Sequence, residues 1–114
     1  MSFNAMLEIL LKLPRVEKFN IGNEYKKSMY KILEYTLYIN KIQEIERLNY
    51  INKIDANLNC QRIYLRIMYK NKWINDKKFQ IAISKVAEIG RIIGGLIKYY
   101  AKNYKKWIWQ KTNL

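Results

Sequence analysis

Glu88-Ile89-Gly90-Arg91-Ile92-Ile93-Gly94-Gly95-Leu96-Ile97-Lys98 decides how this chain folds. Its apolar positions keep a helical spacing, yet three glycines lie inside it. Each interior helical glycine costs about 1 kcal/mol relative to alanine, so a compensating gain is expected. Gly90 and Gly94 sit one turn apart on the same face. That placement predicts close approach of another helix at Gly90, Gly94 and Gly95. The alternative is a helix that stops at Gly94-Gly95. The apolar spacing argues against it, because it runs on through Ile97, Tyr100, Tyr104 and Trp107.

The same seam runs back through Phe79, Ile83, Val86, Gly90 and Ile93 as a heptad. Asn75 or Asp76 is suited to cap the start of this helix, and Asn71 to Asp76 read as the turn before it. Upstream, Ile51, Ile54, Leu58, Leu65 and Met68 form an apolar stripe on a helix from about Glu46 to Lys70, interrupted by Gln61 and Arg62. A tight turn is expected between Asn40 and Arg47. Before it, Tyr25, Met29, Ile32, Thr36 and Ile39 recur at four-three spacing, while Lys26, Lys27, Lys31 and Glu34 face away. Asn20 would cap this helix, and Glu24 suits the dipole in its first turn. Asn4 to Leu13 read as a short apolar helix ended by Pro14, joined on by a charged connection from Arg15 to Asn20.

Three long helices and one shorter one describe an all-α, up-and-down four-helix bundle. One Pro and four Gly in 114 residues are too few turn residues for a sheet protein of this size. The expectation is one domain over 1–114, with 99–114 a basic, aromatic C-terminal extension. Ile89, Ile92 and Leu96 lie beside the main seam of the last helix, and an apolar face wider than one seam predicts subunit packing. The alternative is that the wide face covers the bundle's own core. Lys85, Glu88 and Arg91, spaced by three, are expected to pair along the surface.

Lys and Arg number 22 against 9 Asp and Glu, a net charge of +13. Such a surplus favours a polyanionic partner, nucleic acid or an anionic membrane surface. A composition biased toward Lys, Ile, Asn and Tyr would explain many lysines but not this excess. There is no His, so His-based acid–base chemistry, Ser-His triads and most zinc sites are excluded. Cys60 is alone, allows no intrachain disulfide and reads as a small core residue. The carboxylates are dispersed; Glu44 and Glu46 point to different sides of a helix. No phosphate-binding glycine loop is followed by Lys-Ser/Thr. The expectation is a protein with no catalytic residues, metal or cofactor. No uncharged apolar run approaches the roughly 20 residues that span a bilayer, and Met1 to Lys12 lacks the features of a signal peptide, so a soluble, cytoplasmic protein is expected.

The basic groups, by contrast, are arranged. Arg62, Arg66 and Lys70 follow at steps of four on one helix. Arg91, Lys98, Lys102 and Lys105 lie near one line on the next, at steps of seven, four and three. Lys98 to Leu114 holds five Lys and no acid, interleaved with Tyr99, Tyr100, Tyr104, Trp107 and Trp109. Lysines make salt-dependent phosphate contacts and aromatic rings stack on bases, while an arginine fork suits phosphate or a carboxylate. These seven cations are the candidate nucleic-acid contacts. Arg62 and Arg66 have a second reading, as ion-pair partners of Glu on a neighbouring helix. Tyr100, Tyr104 and Trp107 continue the apolar seam and read first as packing residues, whereas Trp109 is off it. Nothing in the pattern reads base sequence.

Leu65-Arg66-Ile67-Met68, Lys78-Phe79 and Val86-Ala87-Glu88-Ile89-Gly90-Arg91-Ile92-Ile93-Gly94-Gly95-Leu96-Ile97-Lys98 resemble a known four-helix-bundle family. It includes the accessory variability determinant (Avd) of diversity-generating retroelements and related bundle proteins encoded in intervening sequences of large ribosomal RNA genes. Lys18-Phe19-Asn20-Ile21-Gly22 matches the family's Phe-x-x-Gly entry into its second helix. The resemblance covers about Leu13 to Lys98, and Glu-Ile-Gly-Arg-x-x-Gly-Gly is its most specific part. It implies a homopentameric barrel of basic four-helix subunits that bind nucleic acid (DNA, RNA or hybrid) and a reverse transcriptase. The implied role is support of template-primed cDNA synthesis and mutagenic homing. Arg66 matches the family's helix-three arginine, and Gly90, Arg91, Gly94 and Gly95 match its helix-four motif. Leu96 stands where many members have Trp, and the Lys/Trp-rich tail runs past the usual end. Rival readings are an rRNA intervening-sequence protein of uncertain role and a peripheral protein whose C-terminal helix lies on anionic lipid.

Overall fold

A stripe of five large aliphatic side chains organises the fold. Ile51, Ile54, Leu58, Leu65 and Met68 are all buried along one helix, and both other long helices lie against it. The computed structural model describes Ile9, Pro14, Val16 and residues 20–112. These residues form three helices and no strand: α1 (Ile21–Ile39), α2 (Glu44–Lys70) and α3 (Asp76–Thr112). α1 and α3 each pack along α2 and make at most marginal contact with each other. The molecule is a rod with extents of 60 × 22 × 19 Å.

The short helix expected over Asn4 to Leu13 falls outside the described residues, apart from Ile9, which is helical and buried in the core. The connection expected from Arg15 to Asn20 is helical at Val16, whose carbonyl accepts the Asn20 N–H at 3.3 Å. The Asn20 side chain makes no cap hydrogen bond. Its carbonyl accepts the Glu24 N–H at 3.3 Å, the first backbone bond of the helix.

The α1 seam holds at Tyr25 and Met29, which are buried, and at Ile32 and Ile39, which are half-buried. Thr36 departs from it. It is exposed, its hydroxyl donating to the Ile32 carbonyl at 2.7 Å, and Tyr35 takes the inward position instead. Burial pushes the Tyr25 hydroxyl far above the ordinary tyrosine range, so it stays neutral wherever the fold is intact. On α2, Gln61 does not interrupt the stripe but joins it at 1% exposure. Its amide nitrogen has no hydrogen-bond partner among the described residues.

The α2–α3 turn falls where the sequence puts it. Lys72 adopts φ 62°; its N–H donates to the Tyr69 carbonyl, and the Trp73 N–H donates to the Met68 carbonyl, each at 2.9 Å. This is the paired closure of a Schellman motif, with Lys72 in the left-handed position usually held by glycine. Asn75 then caps α3, its Oδ1 accepting the Lys78 N–H at 2.8 Å. Tyr69 donates to Asp76 and stacks on Phe79 with ring centroids 4.3 Å apart, fastening the two helix ends together.

α3 outruns its support. At 1.5 Å per residue, the 27 residues of α2 span roughly 40 Å and the 37 of α3 roughly 56 Å. Asn103 of α3 donates to Glu44, the first residue of α2, at 3.4 Å, which marks the level where α2 begins. Every residue from Tyr104 to Thr112 is exposed. The buried part of the seam therefore ends at Tyr100: Tyr104 and Trp107 are 41% and 44% exposed, at and beyond the level where α2 begins. The helix itself continues past position 99 without a break.

Lysine at a left-handed position is strained by about 1 kcal/mol or more relative to glycine. Lys72→Gly is expected to raise unfolding stability by about that amount in urea denaturation, whereas a loss would mean that the Lys72 side chain has a stabilising role in the turn.

Candidate nucleic-acid interface

The seven candidate cations occupy two neighbouring helices. Arg62, Arg66 and Lys70 descend α2 at steps of one turn, outside the buried stripe. Arg91, Lys98, Lys102 and Lys105 follow the outer flank of α3, and all but the half-buried Arg62 are exposed. The helices run antiparallel, as the Tyr69–Phe79 stack at one end and the Asn103–Glu44 bond at the other require.

Arg62 joins the two lines. Its Nη1 donates to Asn59 one turn earlier, and its Nη2 lies over Gly90 of α3, where a methyl group would overlap it. The residue after Gly90 is Arg91. From that crossing the α2 line runs eight residues toward the turn and the α3 line fifteen residues the other way. The result is a cationic track of roughly 35 Å at 1.5 Å per residue.

None of the seven is paired with a carboxylate among the described residues. Among the described residues the ion pairs are Lys27–Glu24 at 3.4 Å and Lys31–Glu34 at 3.9 Å, both on α1. Neither Arg62 nor Arg66 has a carboxylate partner among the described residues; Arg62 donates to the neutral Asn59 amide. The pairing expected among Lys85, Glu88 and Arg91 is not formed either, since solvent at an exposed helix face competes with so weak a contact. Elsewhere on α2, Arg47 has a buried Nε with no hydrogen-bond partner among the described residues; nothing in the local sequence sets it apart from other arginines.

The glycines divide. Gly90 makes room for the Arg62 guanidinium, not for a helix backbone. Added methyl groups at Gly94 and Gly95 would meet nothing within 4 Å among the described residues, so neither makes room for another described group. Beside them Ile92 and Leu96 are exposed, as is Ile81 one side earlier and Ile63 and Ile67 on α2. Cys60 is half-buried and free. No cluster of potential metal ligands occurs among the described residues, and no helix among them is long and apolar enough to cross a membrane.

Sequence reasoning missed one cluster. Where α2 begins, Glu44 and Ile45 meet Tyr100, Asn103, Tyr104 and Trp107 around a cavity of about 150 Å³. Glu44 and Asn103 are 59 positions apart, so no local pattern links them. Counting an antiparallel register outward from the 71–75 turn is the signal that would have paired them.

Compared with known proteins, the chain matches the family described as bAvd-like over residues 2–100, and it belongs to that family. No curated protein and no solved structure matches it.

Gly90→Ala tests the glycine assignment. Displacing the mobile end of Arg62 is inexpensive, and alanine gains up to about 1 kcal/mol of helix propensity. Its urea midpoint is expected to be unchanged or raised; a marked fall would reveal a backbone contact that Arg62 movement does not relieve.

Proposed function

We propose that this member of the bAvd-like family is a non-catalytic, nucleic-acid-binding accessory protein of a diversity-generating retroelement. It works beside the element's reverse transcriptase and supports cDNA synthesis and mutagenic homing. The family supplies the accessory role and the polymerase partner. The observation that carries the nucleic-acid reading is the track of seven cations without one carboxylate partner among the described residues.

The scale of the track fits a phosphate backbone. One strand of duplex presents a phosphate about every 3.4 Å, so 35 Å of track faces roughly ten of them. Cations held by carboxylates would be of little use for this, because binding would first have to break the pairs. Free ones exchange only their counterions, which makes association favourable and salt-sensitive. Contacts of this kind position a nucleic acid without reading its sequence.

The subunit is a four-helix bundle, and it assembles into a homopentameric ring in the cytoplasm. Gly94 and Gly95 support this reading, since they lower helix propensity yet make room for nothing among the described residues. A second copy packed there would account for them, with Ile92 and Leu96 buried alongside.

Binding to a duplex oligonucleotide across a salt series tests the first part. With up to seven phosphates contacted, a log–log slope of about −4 to −6 is expected, and Arg66→Ala and Lys102→Ala should each reduce it by about 1. A flat response would overturn the reading, as would flotation with anionic vesicles in the absence of any nucleic-acid binding. For the assembly, the Gly94→Ala/Gly95→Ala double variant should keep its helicity but lose mass by light scattering; unchanged mass would place both glycines off the interface.

A further inference from the structure

The cavity at the start of α2 has a composition unlike the rest of the surface. Three aromatic rings, Tyr100, Tyr104 and Trp107, share it with Ile45, the Asn103 amide and the Glu44 carboxylate. Tyr104 and Trp107 are nearly parallel, 24° apart with centroids separated by 6.1 Å. Glu44 is held in place by the Asn103 Nδ2, which donates to its Oε1 at 3.4 Å. It has no cationic partner among the described residues, although the chain carries 22 Lys and Arg. At about 150 Å³ the cavity is too small for a drug-sized ligand, which needs roughly 300 Å³ or more. It is of the size that takes a single aromatic ring system.

We propose that this cavity holds one guanine base of a single-stranded nucleic acid, stacked on the Tyr104–Trp107 surface with its pairing edge on Glu44. The proposal rests on the nucleic-acid reading above and adds a base-selective subsite to a track that is otherwise indifferent to sequence. The two carboxylate oxygens of Glu44 accept hydrogen bonds and donate none. Guanine alone among the common bases presents two adjacent donors, N1–H and the N2 amino group, on its pairing edge. Adenine and cytosine offer one amino group there beside an acceptor, and uracil or thymine offers one N–H between two acceptors. A pairing edge set on the Glu44 carboxylate, which only accepts, therefore favours guanine. The base has to come from a single strand, where the pairing edge is free and the ring can be splayed onto an aromatic platform.

An aromatic box with a carboxylate also suits a cation, and two observations decide against one. Lys111 already lies over the Trp107 ring, its Nζ 5.6 Å from the centroid. A net charge of +13 also repels an incoming cation. A neutral base meets no such barrier.

The test uses the full chain and fluorescein-labelled uridine hexanucleotides with one central position changed to guanine, inosine or adenine, in ribose and deoxyribose forms. Anisotropy should show guanine bound roughly tenfold tighter than uracil in both forms, since the cavity meets the base and not the sugar. Inosine, which lacks only the N2 amino group, should lose most of that gain. Glu44→Gln should bring guanine and inosine level while leaving the salt slope unchanged. Equal affinity for all four hexanucleotides, or a guanine preference that survives Glu44→Gln, would overturn the proposal. So would Trp fluorescence that responds to tetramethylammonium and not to guanosine monophosphate. Binding of every hexanucleotide without preference sinks this subsite alone; binding of none, even at low salt, removes the nucleic-acid reading with it. The inosine comparison needs no substitution, so it stands whatever the variant does to folding.

Discussion

α2 is the only described helix that packs against both of the others, and the buried stripe from Ile51 to Met68 is what holds it there. Burying one large aliphatic side chain contributes about 1.5–3 kcal/mol. Five of them together are of the same order as the whole net stability of a domain, about 5–15 kcal/mol. The stripe also fixes rotation: once it faces inward, Arg62, Arg66 and Lys70 have no choice but the flank and the outside. The interface is thus a consequence of the core, not a separate construction.

Electrostatics divide the molecule unevenly. Both ion pairs among the described residues lie on α1, between exposed groups three residues apart, where each contributes at most about 1 kcal/mol. The seven cations of the track on α2 and α3 form no ion pair among the described residues, and a surplus of like charge works against the compact state. Gly90 eases that conflict at one point. Without a side chain there, the Arg62 guanidinium can lie flat on α3 and hydrogen-bond to Asn59, instead of pointing into the field of Arg91. The glycine is better understood as a seat for an arginine than as a helix crossing.

Much of this was legible in the residues. The α2 stripe, the turn between Asn71 and Asp76, the Asn75 cap and the continuity of the last helix through its glycines all follow from local spacing and capping chemistry. What escaped depends on information that spacing does not carry. Tyr35 rather than Thr36 turns inward because the Thr36 hydroxyl can be satisfied by a carbonyl of its own helix, while Tyr35 meets the Tyr50 ring edge-on at 5.7 Å. Gln61 was read as a break because amides are seldom buried, yet the stripe's rotation carries it inside. Tyr104 and Trp107 keep the periodicity of a packed seam after the helix that would cover them has ended. Of the candidate site, the two cationic lines were visible, but their meeting at Gly90 and the Glu44–Asn103 contact needed the third dimension.

The unequal lengths of α2 and α3 leave the last turns of α3 cantilevered beyond the body. A free peptide so short would not hold a helix in water, because starting one is costly. Here the start has already been made thirty residues earlier, and each further turn needs only extension. Exposed along their whole length from Tyr104 to Thr112, these turns fray and re-form at small free-energy cost, so they behave as a sprung probe. A surface that grips Trp107 and the lysines around it meets an arm already shaped, and loses little freedom in setting it.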